Sequence, residues 1–86
     1  MSHATLLENI LELVPAERRQ ELRTRIEREM ARQAVDVPGA ARFLEDLYAL
    51  ANLRGPDFMY ARGIAGSLRV SEEIFELAYA LKQEMP

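Results

Sequence analysis

The sequence has no cysteine and only one histidine, His3. Without cysteine there is no disulfide, no thiolate metal site and no cysteine nucleophile. His3 falls in a short N-terminal stretch, residues 1–4, that carries no helix signal and reads as a loose end. A histidine-based triad, general acid or metal site therefore has no support. No unbroken apolar run approaches the roughly 20 residues that a membrane span needs. The basic start and apolar run of a signal peptide are missing as well. These absences lead to the expectation of a soluble, cytoplasmic protein.

Lysine occurs once, as Lys82, so arginine supplies nearly all the positive charge. Arg18, Arg19, Arg23, Arg25, Arg28 and Arg32 crowd one segment, but glutamates are interleaved with them and no uniform basic patch results. With a net charge of −3, long-range attraction to nucleic acid or to an anionic membrane is not expected. Gly63 and Gly66 do not make a phosphate loop, because no strand precedes them and no Lys-Ser/Thr follows. Glu72, Glu73 and Glu76 could be taken for metal ligands. Acids at a helix start are better explained as complements of the helix dipole. No catalytic residue, cofactor, metal or small-molecule substrate is expected, and the chain does not read as an enzyme.

What the sequence does have is helical periodicity over most of its 86 residues, 49% of them hydrophobic. That length makes one domain. A chain so small, with no covalent staple, must pack its helices well or borrow surface from a partner. The expected fold is all-α, a compact bundle of about five helices. Residues 5–34 form a helical hairpin that could dimerise, and residues 40–85 form a three-helix unit.

Thr5 and Glu8 fit a capping box that opens the first helix. Leu6, Leu7, Ile10, Leu11, Leu13 and Val14 fall on one arc of it. Pro15 stops this helix and suits the first position of the next, expected over residues 15–34. Glu21/Arg25, Arg23/Glu27 and Arg25/Glu29 are spaced to support a solvated helix. Its apolar stripe is narrow: Leu22, Ile26, Met30 and Ala34. Constant steps of four make one inclined ridge, unlike the alternating spacing of a coiled-coil seam. The helix is thus expected to cross the bundle or a dimer mate, and Leu22, Ile26 and Met30 are the candidate dimerisation residues.

Residues 35–39, VDVPG, read as a connector. A third helix over residues 40–53 has Phe43, Leu44, Leu47, Tyr48, Leu50 and Ala51 on one face, with Tyr48 at the core edge. Gly55 and Pro56 give a stop. Asp57 is a natural cap for a fourth helix, whose core face would be Phe58, Ala61, Ile64, Ala65 and Leu68. Met59, Arg62, Gly63 and Gly66 lie opposite. Two glycines in one short helix cost about 1 kcal/mol each relative to alanine. Either another backbone approaches that side closely, or the helix is weak. Ser71 caps a fifth helix with Ile74, Leu77, Ala78, Leu81 and Met85 on its core face. Phe75 and Tyr79 are expected beside that face rather than within it.

The run Ile64-Ala65, Leu68, Val70-Ser71 and Ile74 is similar to the helix-turn-helix of bacterial repressors, including winged-helix ones. There an apolar-Ala pair is followed by Leu three residues on and by Gly-Val-Ser opening the recognition helix. The resemblance covers about a quarter of the chain and implies DNA binding through the last helix. Two departures stand against that implication. Arg69 takes the turn position usually held by glycine, which alone adopts positive φ freely. The positions that would face the major groove are Glu72, Glu73, Phe75 and Glu76, where DNA affinity needs cations.

The expected function is therefore a non-enzymatic protein–protein interaction module: a small adaptor, inhibitor, chaperone partner or complex subunit, homodimeric. Its candidate partner-binding residues are Met59, Arg62, Gly63, Gly66, Glu72, Phe75, Glu76 and Tyr79, because aromatics and arginine favour interface hot spots. The alternative is a small DNA-binding regulator that uses the Arg62/Arg69 edge and lays residues 18–32 on phosphates.

Overall fold

The structure, a computed structural model, describes residues 3–63 and 71–85, with backbone alone for His3 and residues 61–63. Every regular element among them is a helix: α1 (His3–Leu11), α2 (Ala16–Gln33), α3 (Val37–Asn52), α4 (Gly55–Gly63) and α5 (Glu72–Glu84). The all-α bundle expected from periodicity is the architecture found. Its extents of 32 × 28 × 21 Å fit about two helix layers, each roughly 10 Å thick. No described helix is long and apolar enough to cross a membrane.

The centre of the bundle is α3, which packs against α1, α2 and α5. It buries Phe43, Leu44, Leu47, Leu50 and Ala51, while Tyr48 stays at the edge, partly exposed. It starts three residues earlier than expected. Asp36 is its N-cap and accepts a 2.7 Å hydrogen bond from the Gly39 N–H. Pro38 sits in the first turn, where its missing N–H removes no helical hydrogen bond. What reads as a connector is thus mostly a helix start.

Helix α1 begins at His3, two residues ahead of the Thr5 cap expected for it. It closes with two tight bonds, Leu13 N–H to Ile10 O at 3.0 Å and Val14 N–H to Leu11 O at 3.3 Å. Pro15 is the N-cap of α2 rather than its first helical residue. The end of α1 then gains an unexpected partner. Arg19 Nε donates to Leu11 O at 2.9 Å and to Val14 O at 3.2 Å. A cation on the last carbonyls of a helix satisfies orphan acceptors and opposes the dipole.

The arginines of α2 do not form the expected ladder of steps of four. Arg18 pairs with Glu21, Arg23 with Glu8 of α1, and Arg32 with Glu29. The carboxylate of Glu8 on α1 lies close enough to take Arg23 out of the ladder. Arg18 Nε also lies 3.2 Å from Glu84 Oε1 at the end of α5. At the other end, Ser71 Oγ donates to Gln33 Oε1 at 3.0 Å. With ties at both ends, α5 runs antiparallel beside α2.

The dimer stripe needs correction. Leu22 and Ile26 are 2% and 0% exposed and belong to the chain's own core. The inclined ridge is used inside the bundle, against α1, α3 and α5. These two side chains have no surface left for a second copy. Met30 packs at the core edge, only partly buried.

Two predictions follow from the packing. Ile26→Ala should cost about 2–5 kcal/mol in denaturant unfolding, and Ile26→Asp should abolish the helical circular dichroism rather than split a folded dimer. The second concerns Asp46, half-buried on α3. Burial raises its pKa above the ordinary 3.8, and Arg42 only partly offsets the effect. A raised carboxyl pKa means a penalty that is present at neutral pH and disappears as pH falls below the unfolded value. Asp46→Asn should therefore raise the melting temperature at pH 7, with the gain vanishing below about pH 4.

Candidate protein-binding face

The described part of the candidate site lies where α4 meets α5. Ser71 caps α5, its Oγ accepting from the Ile74 N–H at 3.2 Å. This fixes the first turn and places Glu72 and Glu76 one turn apart on the exposed side. Tyr79 follows within the next turn, 53% exposed. From α4 comes Phe58, which packs on Phe75 with ring centroids 5.8 Å apart and planes tilted by 59°, a geometry that aromatic pairs favour.

Among the described residues, Phe58, Phe75, Glu72, Glu76 and Tyr79 line a groove of about 270 Å³. The two phenylalanines form its floor, and the acids and the tyrosine form its rim. Lys82 also contacts the floor. Its Nζ sits 5.1 Å from the Phe58 ring centroid and donates to Leu53 O. One cation thus fastens the α3–α4 corner, the Phe58 ring and α5 together. Met59 and Tyr60 stand beside Phe58 on α4, 60% and 72% exposed.

Several expectations change here. Phe75 is 4% exposed and part of the core. Phe58 brings a second ring against it and extends the buried face of α5 sideways. Helix α4 begins at Gly55, whose φ of +39° suits glycine, so Asp57 lies in the first turn instead of capping it. Gly63 is the last residue of α4. The side chain of Arg62 lies outside the described residues. So does Gly66, along with Ile64, Ala65, Leu68, Arg69 and Val70, which carry most of the resemblance to a helix-turn-helix.

Sequence reasoning missed Tyr60, whose signal was present as an aromatic beside Met59 in a helix already assigned. It placed Phe58 on the core face, where it is found, without its contact to Phe75. It also missed a second, apolar hollow of about 310 Å³ where α2 passes into α3, lined by residues that include Met30, Ala34, Val35 and Val37. Val35 is 96% exposed. Two valines in a connector were the available clue. Among the described residues, no group of three or more histidine, cysteine, aspartate or glutamate side chains could hold a metal ion.

Comparison with models of known families, with curated proteins and with solved structures finds no match. Assignment of a role thus rests on the geometry alone.

The floor and the rim should separate in stability measurements. Phe75→Ala should cost about 3–5 kcal/mol in urea unfolding. Tyr79→Ala should stay within about 0.5 kcal/mol of the parent.

Proposed function

We propose that the chain is a non-enzymatic interaction module that holds a partner protein on the α4–α5 face. The observation that carries this reading is the groove itself: an aromatic floor flanked by Met59, Tyr60 and Tyr79, which are well exposed. Aromatic side chains and methionine are enriched in protein interfaces. Tyrosine is also among the residues that dominate binding energy. The groove is small, about 270 Å³, close to the lower end of the range for concave sites, roughly 300–1,000 Å³. It suits a few protruding side chains of a macromolecule.

The homodimer expected from the second helix loses two of its three seam residues, because Leu22 and Ile26 are buried within the chain. The partner proposed is a different protein. Duplex DNA is disfavoured at this face, since Glu72 and Glu76 stand on the outside of α5 and repel phosphates.

Affinity capture from a lysate of the source organism tests the reading. A protein retained by the parent should be lost on the Met59→Ala/Tyr79→Ala variant with helical content unchanged. A gel shift with duplex DNA should give no complex even at low salt. Retention of the same proteins by both forms, or salt-sensitive DNA binding, overturns the proposal.

A further inference from the structure

The rim of the groove bears on the chemistry of the partner. Glu72, Glu76 and Tyr79 are spaced at 0, 4 and 7 along α5, so they share one face. At about 1.5 Å per residue they cover roughly 10 Å, or two helical turns. Among the described residues no cation pairs with Glu72 or Glu76. Four other glutamates, Glu8, Glu21, Glu29 and Glu84, do lie against arginines of α2. The nearest described cation on α5, Lys82, is already held by Leu53 O and the Phe58 ring. Within the described residues the two rim carboxylates are thus left for charge from outside, beside an apolar floor.

We propose, building on the protein-binding reading above, that the groove docks a basic amphipathic helix of the partner. One apolar side chain of that helix rests on Phe58 and Phe75. Lysines or arginines about one turn apart meet Glu72 and Glu76, and Tyr79 offers a ring face to one of them. Helix-in-groove recognition is read through anchors at such spacings. Cations over tyrosine faces add attraction.

A second copy of the chain fits less well. Exposed cations are available on α2 at Arg25 and Arg28, but their exposed neighbours Gln20, Glu21, Thr24 and Glu27 are polar. Further on, Arg32 is held by Glu29 and the exposed Val35 lies beyond the last residue of α2, Gln33, so no large apolar side chain sits on this helix between free cations. Nucleic acid and anionic membrane carry the wrong sign.

The probe is a fluorescently labelled 18-residue peptide of leucine, alanine and lysine, with leucines and lysines on one helical face. The control has glutamate in place of every lysine. Anisotropy titrations should show the lysine peptide binding the full chain, and weakening at least tenfold on Glu72→Gln/Glu76→Gln. Glu17→Gln/Glu45→Gln has the same net charge and should change binding less than twofold. The glutamate peptide should not bind. Raising salt from about 50 to 500 mM should weaken binding severalfold, as charge pairing at a surface requires. Equal loss in both double variants means attraction to overall charge and overturns the proposal. So does equal binding of the two peptides, or no binding of either. Concentration-dependent dimerisation in sedimentation, lost on Glu72→Gln/Glu76→Gln, overturns it in favour of a second copy. If the lysine peptide fails while the lysate still yields a protein sensitive to Met59→Ala/Tyr79→Ala, the basic helix is wrong and the interaction module stands.

Discussion

The whole arrangement depends on α3 being buried along its length. Leu44, Leu47 and Ala51 have no exposed surface, and Phe43 and Leu50 almost none. With no disulfide available, a chain of 86 residues gains its stability from apolar area withdrawn from water. One central helix touched by α1, α2 and α5 is an economical way to withdraw it. Ile10, Leu22, Ile26 and Leu81 complete that core from three directions. The face proposed for binding is what remains outside it, at the margin where only Phe58 and Phe75 reach inward.

Charge arranges the periphery of the core. The arginines of α2 look in sequence like a solvated surface, yet three of the six reach other elements. Arg19 closes the end of α1, Arg23 reaches Glu8, and Arg18 approaches Glu84. Exposed pairs of this kind are individually weak, about 0–1 kcal/mol. Their value lies in geometry: they set where α1 and α5 lie against α2. Lys82 does the same for α4. The acids at Glu72 and Glu76 take no part in these ties.

The helices themselves were legible, because apolar residues recur at helical spacing and Pro15, Gly55 and Ser71 punctuate them. Ser71 was placed correctly as a cap, and its neighbours Ile74, Leu77, Ala78 and Leu81 are buried as expected. Boundaries were less legible. Pro38 tolerates the first turn of a helix as readily as a loop, so VDVPG concealed the start of α3. Partner choice was the least legible property. A stripe such as Leu22, Ile26 and Met30 reports that a face is covered, but not whether its cover comes from the same chain. Phe75 was misjudged for a related reason: its burial depends on Phe58, which is distant in sequence. Of the candidate binding residues, Glu72, Phe75, Glu76 and Tyr79 meet around one groove, whereas Arg62 and Gly66 lie beyond what side-chain geometry describes.

The double role of Ser71 has a mechanical consequence. Its oxygen receives the Ile74 N–H while its own proton goes to Gln33 at the end of α2. Glu72, at the mouth of the groove, is the next residue. A load that levers this end of α5 outward therefore pulls on one hydroxyl group and, through it, on α2. Ile74 and Phe75, in the core one turn on, feel the same load, so the mouth of the groove and the hydrophobic interior share a single anchor point.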